Sequence, residues 1–266
     1  MVSSEKLALN IRNHILDMTS IGQSSHIGSA LSIADIVAVL YGDTLNFNAN
    51  DPLDKKRDRF ILSKGHAGVA VYAALAEVGF FPKDLLKNHY QNGSFFSGHI
   101  SHKKLPGVEI STGSLGHGLG IGLGIAFSAK KLKKEYKVYV LLSDGECDEG
   151  SNWESFLFLS HHCLNNLITI IDYNKLQSIG TTHETLNLEP FVDKFKAFNL
   201  NPIIINGHDH NQLKEAFLEA HSSEKPSVII CNTIKGKGVS FMENSVLWHY
   251  RSPQGDEYIK AKEELN

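Results

Sequence analysis

Between residues 5 and 19, Leu7, Leu9, Ile11, Ile15, Leu16 and Met18 recur at a roughly helical spacing, which predicts an amphipathic helix. Ser32 is placed to cap a second helix over the segment IADIVAVLY. The short apolar run Phe60-Ile61-Leu62 predicts a strand that ends in SKGH, and GVAVYAALAEV after it predicts a further helix. A loop rich in Gly, Ser and His (92–112) leads into GSLGHGLGIGLGIAFSAKKLKK, whose later part reads as a buried helix with glycines for close backbone approach. VYVLLSD (138–144) predicts a strand, 151–162 a helix, LITIID (167–172) a strand and IIIN (203–206) another. A helix over about 209–221 and the strand SVIICNT (227–233) complete the series. The strands are continuous apolar runs, the pattern expected when helices cover both faces of a parallel sheet. The alternation predicts an α/β fold, doubly wound, with a mostly parallel sheet and helices on both faces. No internal repeat, low-complexity tract or Pro/Ser linker divides the chain, so residues 1–266 read as one domain with its ligand loops at the strand ends.

Composition narrows the classes. Of 266 residues, 42% are hydrophobic and 21% charged, which excludes disordered and fibrous chains. Lys and Arg number 26 against 29 Asp and Glu, a net charge of −3, so the basic excess of a nucleic-acid binder is missing. No apolar run approaches the ~18 residues of a membrane span. The opening MVSSEKLALN lacks the features of a signal peptide, and a soluble protein of the cytoplasm is expected. Cys147, Cys163 and Cys231 include no CxxC pair and cannot form a disulfide framework. The 22 glycines and 14 histidines stand out because they are grouped.

The chemistry concentrates at SDGECDEG (143–150), between a strand and a helix. A helix N-terminus with a glycine beside it offers free N–H groups to a phosphate. An Asp in that turn would repel the phosphate unless a divalent cation lay between them. Asp144 therefore makes sense as a metal ligand, with Gly145 and Glu146 bringing backbone near a diphosphate. Alone, the segment is better read as an acidic helix cap. The strand LITIIDYN (167–174) changes that, because its exit lies on the same edge of a parallel sheet. Asn174 can offer its amide oxygen and Leu176 its carbonyl to the ion at Asp144, a hard-cation site for Mg²⁺ or Ca²⁺. Asn165-Asn166 precedes the strand and reads as a turn. Rival motifs fail on spacing. The glycines from 113 to 124 nowhere give G-x-G-x-x-G, and GKG (236–238) lacks the rest of a P-loop. His161-His162-Cys163 and His99 with His102 lack a spaced zinc set, so surface or core roles are the plainer reading.

SDGE, followed by Asn174 29 residues after Gly145, resembles the thiamine-diphosphate motif of Asp-Gly, helix, strand and Asn. Further segments narrow the resemblance to transketolases. SSHIGSALS (24–32) is similar to their SGHPG stretch, RDRFILSKGHA (57–67) to RDRFxLSxGH, and SGHIS (97–101) to their PGH loop. STGSLGHGLGIGLGIA (111–126) resembles TTGPLGQGxxxAxGxA, and TIKGKGVSFMEN…WH (233–249) the segment ending in their later active-site histidine. Ser143 stands for the usual Gly, Ile27 for the usual Pro, and WHYR for the common His-Gly pair.

The resemblance implies thiamine diphosphate as cofactor with Mg²⁺ (or Ca²⁺), and active-site histidines at His26, His66, His99 and His249. It implies cofactor contacts at His66, Gly113, Ser114, Leu115, Gly145, Glu146, Asn174, Lys235 and His249, and metal ligands Asp144, Asn174 and Leu176. The implied reaction moves a two-carbon ketol unit from a ketose to an aldose, as free sugars or sugar phosphates. Family enzymes on one chain run well over twice this length, so the chain is expected to be the N-terminal subunit of a split transketolase. Its partner would carry the pyrimidine-binding domain, in an assembly of two chains of each kind. Alternatives are a subunit of another thiamine-diphosphate enzyme, deoxyxylulose-phosphate synthase-like or 2-oxoacid dehydrogenase-like, or a cofactor-binding regulatory module without turnover.

Overall fold

The computed structural model describes residues 2–266. Helix α1 (Ser4–Gly22) starts where the Ser3 hydroxyl accepts the Lys6 N–H at 3.3 Å, and it buries Leu7, Ile11, Ile15, Leu16 and Met18. Helix α2 (Ile27–Ser32) and helix α3 (Ala34–Val39) follow, parted by a break at Ile33. Ser32 is thus the last residue of a helix and not the cap of the next. Its hydroxyl is drawn to a buried carboxylate and donates to Asp172 at 2.6 Å.

Strand β1 (Arg59–Leu62), helix α4 (Gly68–Glu77), helix α5 (Gly118–Lys131) and strand β2 (Val138–Ser143) come next. They are followed by α6 (Gly150–His161), β3 (Leu167–Tyr173), α7 (Thr182–Thr185), α8 (Phe191–Ala197) and β4 (Asn201–Asn206). The chain continues through α9 (His210–Ser222), β5 (Ser227–Asn232) and α10 (Asp256–Glu264). Asp209 caps α9 by accepting the N–H groups of Asn211 and Gln212 at 2.9 and 3.1 Å. No helix among the described residues is long and apolar enough to cross a membrane.

The five strands form one parallel sheet in the order β1-β2-β3-β5-β4, with Ser143 beside Asp172 and Asp172 beside Cys231. Alternate residues of the strands enter two apolar clusters, which is how a sheet covered on both faces must pack. Tyr139, Leu141, Ile168 and Ile170 join α1 to α4 and α9. Val138, Val140, Leu142 and Ile171 join α5, α6 and α8 on the other face. Strands β2 and β3 are buried along their whole length. Strand β4 lies at the edge, begins two residues before the apolar run, and alternates between buried Ile203 and Ile205 and exposed Ile204. Pro202 fits there because an edge strand spares a ladder donor. Helix α5 lies hard against β2: a Cβ on Gly122 would stand 2.5 Å from the Val140 side chain.

Candidate active site

All five strands point the same way, so the segments after β1, β2, β3 and β5 converge on one edge. Among them lies a cavity of about 250 Å³. Its lining includes His26, His66, His99, Gly113, Leu115, Asp144, Gly145, Asn174, Leu176, Lys235 and His249. Seven separated segments that the sequence singled out thus meet in one place. Ser114 is exposed beside the cavity but not in its lining. Glu146 also lies outside it. Its N–H is taken by the Ser143 hydroxyl at 3.2 Å, and its buried carboxylate accepts from the Ser63 hydroxyl and from the N–H groups of Gly116 (2.9 Å) and Ser143 (3.3 Å). Glu146 braces the turns after β1 and β2 against the start of α5. A larger open depression of about 640 Å³ lies near residues 55–58 and 133–136. Its lining of lysines, Asn46, Asp58, Glu135 and Tyr136 holds no histidine, and the chemistry gathers in the smaller cavity.

The turn after β2 sets Asp144 with 2% exposure, its carboxylate accepting the N–H groups of Gly145 (2.7 Å) and Lys175 (2.5 Å). Burial first, and then the negative charge of Asp172, push this carboxyl up to about 7 in spite of those two bonds. Lys175 directly follows Asn174, so its bond joins the two strand exits that the sequence placed on one edge. Asn174 donates to Asp172 at 3.0 Å and accepts the Leu176 N–H on its amide oxygen at 3.0 Å. The Leu176 carbonyl accepts from Lys235 Nζ at 3.0 Å, and the same ammonium reaches the Gln177 carbonyl (3.1 Å) and His249 Nδ1 (2.8 Å).

A buried carboxylate whose charge its surroundings do not balance, next to an amide oxygen and a carbonyl oxygen, is a donor set that fits a hard divalent cation. Among the described residues no three His, Cys, Asp or Glu side chains form a metal-binding group. A cation here would take one anionic ligand from the chain and complete its shell with oxygens of an anionic ligand such as a diphosphate.

Four histidines face one another above this edge. The His26 ring lies 5.1 Å from His66, 5.6 Å from His99 and 5.0 Å from His249, and His66 lies 5.9 Å from His249. The His26 N–H donates to the His249 carbonyl at 2.7 Å, which locks the loop before α2 to the segment after β5. His26 has a φ of 76°, a left-handed conformation that costs a non-glycine residue energy and is held here by its surroundings. Burial, followed by the nearby cations, pushes His26 down to about 4, His249 to about 3 and His66 well below its ordinary value. These rings are neutral at pH 7, each with one N–H donor and one bare nitrogen. His66 sits in a turn that only glycine permits, since a Cβ on Gly65 would collide with Thr112.

Two buried networks escape sequence reasoning. Lys64 is wholly buried, lines the cavity and donates from Nζ to Asp172 at 2.5 Å. Burial alone would raise the Asp172 carboxyl, yet Lys64, Ser32 and Thr233 hold it below its ordinary value. The available signal was a lysine and an aspartate at the very ends of apolar strand runs, where a buried charge needs a partner. The second network centres on Asp35, which receives Arg12 through two bonds (2.9 and 2.5 Å), His208 Nδ1 at 2.7 Å and His210 Nε2 at 3.1 Å. His208 Nε2 accepts the Ile234 N–H at 2.8 Å, and Arg12 Nε donates to the Lys237 carbonyl at 3.2 Å. The segment that carries Lys235 into the site is therefore pinned on both sides of that residue.

Residues 3–265 match the family model for the thiamine diphosphate binding domain of transketolase. The chain is 40% identical over 262 residues to an apulose-4-phosphate transketolase subunit of Actinobacillus succinogenes, covering 98% of this chain and 95% of that one. It is 39% identical over 225 residues to a 6-deoxy-6-sulfo-D-fructose transketolase subunit of a Clostridium species, covering 84% and 82%. The transketolase of Leishmania mexicana superposes over all of this chain with a TM-score of 0.94 at 30% identity. This chain spans 41% of that solved chain. The chain belongs to the transketolase family of thiamine-diphosphate-dependent transferases, and what it carries of that family is the N-terminal, thiamine-diphosphate-binding part.

Proposed function

We propose that this chain is the N-terminal subunit of a two-chain transketolase, one diphosphate-binding domain over residues 1–266, that moves a two-carbon ketol unit from a ketose to an aldose. The observation that carries this reading is the pairing of Asp144, a buried carboxylate raised to about 7, with four clustered histidines on the same sheet edge. Asp144, Asn174 and Leu176 would hold Mg²⁺ (or Ca²⁺) against the diphosphate, with Gly145 at the turn beside it. His66, Gly113, Ser114, Leu115, Lys235 and His249 would surround the rest of the cofactor. When bound, thiamine diphosphate supplies the carbon that takes up the two-carbon unit and stabilises its negative charge.

The chain's own residues position and move protons. Lys235 donates to His249 Nδ1, which leaves the His249 proton on Nε2 and makes that atom a donor toward the cavity. Neutral His26, with His99 beside it, would accept and return the protons of sugar hydroxyls next to the reacting carbonyl. His66, at the turn after β1, would serve the cofactor side.

Subunit names among relatives that match this chain over 95% and 82% of their own length support a partner chain that carries the pyrimidine-binding domain. Two chains of each kind would share the active sites, with sugars or sugar phosphates as substrates. Three free cysteines suit a reducing compartment such as the cytoplasm. Intact Asp144, Asn174 and histidines speak against a regulatory module without turnover.

The test is to assay ketol transfer by this chain alone and with its partner, with saturating thiamine diphosphate and Mg²⁺, beside a pyruvate decarboxylation assay. Transfer that needs both chains is expected. Robust transfer by partner-free protein would refute the two-chain reading, and pyruvate turnover without transfer would refute the transketolase assignment.

A further inference from the structure

Tyr250 directly follows His249 and lines the mouth of the cavity, at the position where the common His-Gly pair would have a glycine. Its side chain is neither core nor cofactor machinery. The residue is 63% exposed, with its ring 4.8 Å from His249 and 6.0 Å from His26, tilted by about 60° to each. The backbone beneath it is fixed. The His26 N–H holds the His249 carbonyl at 2.7 Å, and the Ser25 hydroxyl donates to the Tyr250 carbonyl at 3.1 Å. Arg251 turns away, its guanidinium 5.3 Å over the Trp248 ring and 2.5 Å from Glu257. The aromatic ring therefore stands alone at the opening, outward of two histidines that face the substrate in the function proposed above.

We propose that Tyr250 sets the carbon-chain length of the sugar the site accepts, its ring walling off the space beyond His26 and His249 so that short aldoses are preferred as acceptors. The inference rests on the ketol-transfer reading. Hydroxyls next to the reacting carbonyl meet the histidines, so the carbons farther along an aldose chain must pass the ring of Tyr250. An aromatic face packs well on the C–H groups of a short sugar and excludes a longer one for want of room. A glycine at this position would leave the space of a whole phenol side chain. Differences of a single methylene in an enzyme pocket are worth roughly 10–200-fold in kcat/KM, so a ring-sized change is ample for discrimination.

The experiment uses the assembled two-chain enzyme with thiamine diphosphate and Mg²⁺, one fixed ketose donor, and three-, four- and five-carbon aldose acceptors. The parent enzyme is expected to favour the shortest acceptor. In Tyr250→Gly the five-carbon to three-carbon ratio of kcat/KM should rise by about tenfold or more, chiefly through KM, with cofactor affinity unchanged. Tyr250→Ala should show a smaller rise, and Tyr250→Phe should keep the parent ratio because it keeps the ring. A flat ratio in Tyr250→Gly with three-carbon transfer intact would overturn the inference and leave the function standing. So would a Tyr250→Phe shift as large as that of Tyr250→Gly, or a loss of cofactor affinity in Tyr250→Gly. An assembled parent enzyme that transfers from no ketose would overturn the function itself, and this inference with it.

Discussion

Asp144 and Asp172 stand one strand apart at the same edge of the sheet, both buried, and their neighbours treat them in opposite ways. Asp172 has a full lysine charge beside it, together with Ser32, Thr233 and Asn174, and its carboxyl is held low. Asp144 has two backbone N–H groups and no side-chain cation in contact, and its carboxyl is raised to about 7. Asp144 also feels its neighbour, since the charge on Asp172 is the second cause of its rise. A buried charge that the chain itself balances holds segments together, here α2, β1, β3 and the turn after β5. A buried carboxyl left without such a partner is raised instead, and in the function proposed above it is the one that would take a cation from outside.

The most drastic way to break this contrast is at the open end. Asp144→Ala should abolish Mg²⁺-dependent retention of thiamine diphosphate, beyond the ~10–100-fold typical of losing only a ligand's supporting partner. The fold should survive, because the change empties a turn and no core volume. Titration calorimetry showing unchanged cofactor affinity, with and without Mg²⁺, would remove Asp144 from the site. Next come the histidines of the same open side. His26→Ala and His99→Ala should lower turnover by roughly 10²–10⁴-fold while sparing cofactor binding, the usual worth of a positioned acid or base. Steady-state assays with saturating donor and acceptor check this, and full turnover in either variant would deny that residue a catalytic role.

The closed end should respond in stability. Lys64→Met leaves the Asp172 charge buried without its partner and should cost about 3–5 kcal/mol, whereas adding Asp172→Asn should restore part of the loss. Urea unfolding of the parent, these two variants and Asp144→Ala measures it, and a midpoint for Lys64→Met no lower than that of Asp144→Ala would erase the contrast. The smallest effect is on acidification. Because the folded-state values of His26 and His249 lie near 4 and 3 against an ordinary 6.5, the folded chain binds fewer protons than the unfolded one below pH 6.5. Stability should therefore hold above pH 6.5 and fall as the pH drops toward 4, and His26→Gln should flatten that slope. Thermal unfolding across pH 4–7 provides the measurement; equal slopes in parent and variant would show that folding does not depress His26.

The open end was legible in the sequence and the closed end was not, for a physical reason. Asp144 and Asn174 sit where an apolar run stops and a polar turn begins, a local event that a linear reading detects. Lys64 and Asp172 lie 108 positions apart, Ser32 and Asp172 140, and Asp35 and His208 173. Nothing local announces that such residues meet. The same blindness explains Ser32, which has the chemistry of a helix cap but answers to a carboxylate on a distant strand. The strands of the interior were legible because burial on both faces forces unbroken apolar runs. Edge strand β4 began earlier than its apolar run because its first residues need pair on one side only.

The strand order has a consequence for how the molecule is made. β1 ends at Leu62, yet its only neighbour among the described residues, β2, starts at Val138. β4 ends at Asn206 and pairs only with β5, which starts at Ser227 and wedges between β3 and β4. A ribosome adding ~5–20 residues per second leaves both outer strands waiting for seconds before a partner exists. During that interval the unpaired backbone of β4, with its bare Ile204, is open to the wrong strand of another nascent chain. The last strand translated is therefore the one that closes the sheet, and a translational pause placed just before it would prolong the period in which the chain is most exposed to aggregation.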